Sequence, residues 1–167
     1  MDYRIEKRDD FRVVCRRKQV EKPQSASASA DITSMWQELG RDGTMERIIA
    51  CVPEKPVMRG LLGICFSSEL DGDRFPYGIG VEYDGRPLDP GLEVVTIPAS
   101  TYAVFTSSGP MPGAFIDTYN RIVTEFFPQS TQFEYAGKTE FEVYSSENVS
   151  DPDYKCEIWV AVSEKKG

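Results

Sequence analysis

Residues Lys138–Ser145 read KTEFEVYS and alternate by twos. In a strand, successive side chains point to opposite faces. Phe141 and Val143 then share one face, and Glu140, Glu142 and Tyr144 the other. Two readings follow. In one, Phe141 and Val143 face a core while Glu142 faces water, as in any half-covered antiparallel strand. In the other, Glu142 and Tyr144 line a cleft, where an acid beside aromatic rings attracts a flat cation by its charge and by the ring faces. The remainder of the chain bears on that choice.

A chain of 167 residues suits one domain or two tightly fused halves. Hydrophobic residues make up 40% and charged residues 28%, enough for a core and unlike a disordered composition. Lys and Arg total 19 against 27 Asp and Glu, a net charge of −8. A phosphate backbone wants a basic surface, so direct nucleic-acid binding is not expected. The early basic residues (Arg4, Lys7, Arg8, Arg12, Arg16, Arg17, Lys18) alternate with acids and apolar residues, which reads as a solvated strand face. No apolar run is long enough to cross a bilayer, and the opening MDYRIEKRDD is too charged for a signal peptide. Cys15, Cys51, Cys65 and Cys156 form no CxxC pair, and the expectation is buried free thiols in a reducing cytoplasm. There is no histidine. That excludes Ser-His-Asp and Cys-His catalysis and imidazole metal sites; no metal, cofactor or catalytic residue is expected.

The segment from Phe11 to Val20 reads as a strand, and Lys22 to Ala30 as a small, polar, flexible loop. A helix follows, with Asp31 and Ser34 as candidate N-caps, Ser34 and Gln37 as a capping box, and Ile32, Met35, Trp36 and Leu39 as its apolar stripe. Met45, Ile48 and Ile49 suggest a further helical turn. Gly60–Ser68 and Tyr77–Tyr83 read as strands, the latter a clean alternator, and its Gly-x-Gly is no dinucleotide fingerprint. Asp84 to Gly91 (DGRPLDPG) is the strongest linker signal. Leu92–Ile97 and Thr101–Ser107 open a second strand system. Phe115, Ile116, Tyr119, Ile122, Val123 and Phe126 then recur at helical spacing, with Pro112 near the start and Pro128 at the end. Gln129–Gly137 reads as a loop, Thr139–Ser145 as a strand, Glu147–Asp153 as a turn, Tyr154–Val162 as a last strand, and Ser163–Gly167 as a frayed tail.

Set side by side, each half reads strand, helix, strand, turn, strand. The fold class expected is α+β: two fused β-α-β-β repeats about a pseudo-two-fold axis, with antiparallel sheets, helices on one face and a central groove for a ligand. The single domain spans 1–167, with repeat 1 at about 1–84, a linker at 85–91 and repeat 2 at about 92–167. On the last strand, Cys156, Ile158, Val160 and Val162 pack under a helix, and Trp159 falls with Lys155 and Glu157 on the groove side.

The run IPASTYAVFTSSG, a proline-started helix closing at EFFPQS, then FEVY and CEIWVAV resembles the GyrI-like, or AraC-type, effector-binding domain family. FRVVCRRKQV followed by a helix bearing Trp36 fits its opening. The resemblance implies a stand-alone small-molecule-binding domain, of the kind that in multidrug-sensing regulators holds lipophilic cations on a buried acid amid aromatic rings. Glu142 takes the acid's place; Trp36, Phe105, Tyr119, Tyr144 and Trp159 are the candidate ring partners. Two alternatives accompany it: a hydrolase of reactive electrophilic toxins using a groove glutamate, and a protein-interaction module of the gyrase-inhibitor type. No helix-turn-helix flanks the domain, so any role in transcription is expected to run through a separate DNA-binding or protein partner.

Overall fold

The computed structural model describes residues 1–21, 26–145 and 148–166, with the backbone alone for 26–29. In chain order the elements are β1 (Arg4–Arg8), β2 (Phe11–Glu21), α1 (Ala26–Arg41), α2 (Thr44–Ile49), β3 (Leu61–Cys65), β4 (Arg74–Glu82), β5 (Glu93–Ile97) and β6 (Ser100–Ser108). Next comes α3, which begins at Gly113–Arg121, passes through a π-turn at Ile122–Phe126 and ends in a turn at Phe127–Gln129. β7 (Phe133–Tyr135), β8 (Glu140–Tyr144) and β9 (Lys155–Glu164) complete the chain.

The strands form one sheet in the order β1-β6-β9-β8-β3-β4-β2-β5, with β7 paired to the end of β9. Every pairing is antiparallel. The order is a palindrome when β1, β2, α1, β3, β4 are matched to β5, β6, α3, β8, β9. The pseudo-two-fold axis therefore falls between β3 and β8, at the pair Gly63–Glu142. The leading short strand of each half is exchanged: β1 lies along β6, and β5 along β2. Such an exchange ties the halves together with backbone hydrogen bonds as well as with side chains.

Cross-strand partners share a face. On one face, Val14, Tyr77, Ile79 and Val81 pack beneath Met35 and Leu39 of α1. On that same face, Ala103, Phe105, Ile158 and Val160 pack beneath Ile122 and Phe126 of α3. The other face carries no helix, yet Val13, Leu62, Tyr102, Phe141 and Trp159 are all buried there. The sheet curls until this face closes on itself. Phe11 of β2 meets Phe141 of β8 at 5.7 Å between ring centroids, although β3 and β4 separate their strands.

Several local expectations are corrected. Of the expected loop Lys22–Ala30, residues 22–25 lie outside the described residues and 26–30 are helical. Alanine is the strongest helix former, so the small-residue run extends α1 backwards and places Asp31 and Ser34 inside the helix instead of at its cap. Within the expected loop Gln129–Gly137 lies β7, which pairs Phe133 with Glu164 and Tyr135 with Val162. That pairing, with the Lys165 N–H donated to the Gln132 carbonyl at 2.8 Å, orders the start of the expected tail. Gly167 of that tail, and Glu147 of the expected turn, lie outside the described residues. All four cysteines are free thiols; Cys65 alone among them is half-buried. Among the described residues no helix is long and apolar enough to cross a membrane.

Candidate functional site

Strand β8 presents Glu140, Glu142 and Tyr144 to the helix-bearing face, beside the pseudo-two-fold axis and between α1 and α3. Tyr77 donates to Glu142 Oε1 at 2.7 Å, and Tyr144 donates to the same oxygen at 3.0 Å. The indole N–H of Trp36, on α1, donates to the Tyr77 hydroxyl at 3.0 Å. Trp36 also meets Tyr144 edge to face, 5.0 Å between centroids. The result is a carboxylate held on one oxygen by two phenols, one of them backed by an indole. Among the described residues, Oε2 of Glu142 accepts no hydrogen bond and no Lys or Arg pairs with it.

Glu142, Tyr144, Trp36 and Cys65 are each half-buried, so solvent still reaches this floor. Burial nonetheless raises the Glu142 carboxyl above the ordinary range, against the two phenol hydrogen bonds, which lower it. Burial, with Glu142's charge close by, holds both phenols protonated well past their usual range. They are therefore fixed donors. The close fit depends on Gly63 of β3, directly opposite Glu142: a Cβ there would lie far inside van der Waals contact with Glu142 Oε1 and with the Tyr77 hydroxyl.

Glu140 sits one repeat along β8. Tyr119 of α3 donates to its Oε2 at 3.3 Å. Burial pushes its carboxyl up to about 7; the Tyr135 and Tyr119 hydroxyls oppose the rise and the charge of Glu142 adds to it. A cleft of about 550 Å³ opens beside it, with Leu70, Phe75, Tyr119, Ile122, Phe127 and Tyr135 among its walls. Its size and apolar lining suit a drug-sized molecule. Among the described residues no three acid or thiol side chains converge as a metal cage.

Of the residues singled out in the sequence, Glu142, Tyr144 and Trp36 are brought together. Tyr119 reaches Glu140 instead of Glu142. Phe105 shares the face but lies in the core below α3, against Phe126 at 5.0 Å. Trp159 is on the opposite face, contrary to the strand reading. It pairs with Phe141, packs on Tyr102 at 5.6 Å and donates to Glu157 at 3.1 Å. The physical reason is that the acids of β8 and the cleft both lie on the helix-bearing face. Glu142 pairs directly with Ile158, so whichever face holds Ile158 under a helix also holds Glu142. Tyr77, Gly63 and Glu140 were not picked out. Tyr77 heads an alternating strand and Glu140 shares the parity of Glu142, so both carried a signal; Gly63 carried none.

The sequence profile of the Cass2 family, described as integron-associated effector binding protein, matches residues 4–162. No curated protein sequence matches the chain. Among solved structures, SAV2435 bound to tetraphenylphosphonium superposes with a TM-score of 0.84 at 24% identity, over 98% of this chain and 94% of that one. A bacterial transcription regulation protein from Staphylococcus aureus gives 0.79 at 24% identity, over 97% and 98%. An integron cassette protein of Vibrio cholerae, Cass2, gives 0.63 at 18% identity, over 96% and 95%. These likenesses show the fold, the one expected from the resemblance carried by the FEVY and CEIWVAV motifs.

Proposed function

We propose, for a chain that belongs to the Cass2 family of integron-associated effector binding proteins, that the groove binds lipophilic aromatic cations with Glu142 as their charge partner. The observation that carries this reading is the state of that carboxylate. It is half-buried, it is fixed through Oε1 by Tyr77 and Tyr144, and among the described residues it has no cationic partner. A partly desolvated anion without a counter-charge is costly, and a bound cation offsets that cost. Trp36 and Tyr144, packed edge to face beside the carboxylate, are half-buried rings within reach of a bound cation, and a cation over such a ring gains roughly 0.5–2 kcal/mol. The phosphonium cation held by SAV2435 is of this chemical class.

The same geometry favours binding over hydrolysis. A phenol held protonated well past its usual range is a poor proton shuttle and a good fixed donor. With a net charge of −8, the chain is ill suited to grip a phosphate backbone, so a role in transcription would run through a partner chain.

The test is calorimetric titration with tetraphenylphosphonium. Glu142→Gln keeps the shape and removes the charge. It is expected to weaken binding by about 2 kcal/mol, or about thirtyfold. Equal affinity in the two proteins would overturn the assignment.

A further inference from the structure

Glu140 is the buried group that cation binding at Glu142 leaves unused. It is two residues from Glu142 on the same face of β8 and only 6% exposed. Its Oε2 accepts from Tyr119, but Oε1 is buried and has no hydrogen-bond partner among the described residues. No Lys or Arg among those residues pairs with it. An orphaned buried carboxylate oxygen costs the fold free energy. A glutamine or threonine at this strand position would not carry a charge into the interior.

The surroundings say what the acid is turned toward. Tyr119 and Tyr135, the two phenols that oppose the rise of its carboxyl, also line the cleft of about 550 Å³. Two of the side chains that cover Glu140 thus face the cleft. Tyr135 sits on the three-residue strand β7 and is 48% exposed. Tyr119 lies one turn before the π-turn of α3, a feature that often marks functional sites.

We propose that Glu140 is a second anionic subsite beside Glu142, and that the groove prefers flat aromatic dications to monocations, with one positive centre at each carboxylate. The proposal rests on the cation-binding reading of Glu142. Residues i and i+2 of a strand lie about 6.6 Å apart, which is close to the length of a bipyridine. Each acid has its own aromatic company: Trp36, Tyr77 and Tyr144 around Glu142, and Tyr119 and Tyr135 around Glu140. A dication balances both charges. A monocation leaves one of them buried without a partner.

The experiment compares methyl viologen with its monocationic isostere, N-methyl-4-phenylpyridinium. Both are titrated by calorimetry at pH 8 into wild type, Glu140→Gln and Glu142→Gln. Wild type is expected to prefer the viologen by about tenfold or more. Glu140→Gln should bring that ratio close to one while holding the pyridinium affinity within about twofold, and should melt no lower than wild type. Glu142→Gln should weaken both ligands. Equal affinities in wild type, or a preference that survives Glu140→Gln, would overturn the second subsite alone. Absence of pyridinium binding to wild type would instead overturn the reading of Glu142 on which it depends.

Discussion

At the scale of single residues, Gly63 is the position whose side chain matters by being missing. Its neighbours across the strand are Glu142 and, one strand over on the other side, Ile79. Gly63→Ala would push the Glu142 carboxylate off the Tyr77 hydroxyl, because Tyr77 is fully buried and the carboxylate is the freer of the two. The expected result is a loss of about tenfold in cation affinity with a stability cost of about 1–3 kcal/mol, since the Tyr77 hydroxyl must also give way. Urea unfolding beside the binding titration checks it; a folded variant with affinity within about twofold of wild type would contradict it. Glu140 makes a prediction of opposite kind. Its carboxyl binds a proton more tightly in the fold than in the unfolded chain, so its contribution is full below about pH 4.5 and is lost as pH rises through about 7. A shift of that size is worth about 3 kcal/mol. Denaturation at pH 4.5 and pH 8 should show wild type losing about that much more than Glu140→Gln; parallel losses would refute it. Glu142 and Tyr144 stood out as an acid and an aromatic on one strand face, a pattern that alone left a solvated strand equally open; the family resemblance singled out Glu142 and brought in Trp36. Gly63 carried no signal, since a glycine's reason lies in what stands opposite it, here 79 residues further along the chain.

Among the elements, the exchanged strand β1 ends in a buried lock. Arg8 donates through Nη1 and Nη2 to Glu82 at 3.2 and 3.3 Å, and its guanidinium lies over Phe11 at 3.7 Å. Glu82 also accepts the Met58 N–H at 2.6 Å. The two charged side chains are only 12% and 11% exposed. Removing one partner of such a pair leaves the other charge stranded, so Arg8→Ala is expected to cost about 3 kcal/mol. Arg4, 47% exposed in its pairs with Glu6 and Glu157, should cost less than about 1 kcal/mol when changed to Ala. Chemical denaturation of the two variants decides; equal costs would contradict the lock. Neither β1 nor its exchange was legible, because pairing across half the chain leaves no local mark. By contrast, the period of α3 was plain from Phe115 to Phe126. The π-turn within it was not, as one widened turn hardly disturbs a three-and-four spacing.

On the scale of the whole molecule, the two halves share a plan but not a chemistry. About the axis between β3 and β8 the palindromic sheet matches Gly63 to Glu142 and Leu61 to Glu140. Both acids thus come from the second half. The first half supplies the gap at Gly63 and, through α1 and β4, Trp36 and Tyr77. Duplicated architecture provides the groove, and divergence between the halves provides its polarity. The repeat was readable as a pattern of elements even though residue identities barely match. The curl that buries Trp159 and closes the helix-free face was not readable, because strand parity alone does not say which face closes. The central claim is that charge at Glu142 selects the ligand. It is tested most directly by measuring the affinities of tetraphenylphosphonium and neutral triphenylphosphine oxide for wild type and Glu142→Gln by calorimetry. The account predicts that the substitution weakens the cation about thirtyfold and leaves the neutral compound within about twofold. Equal weakening of both compounds, or of neither, would contradict it.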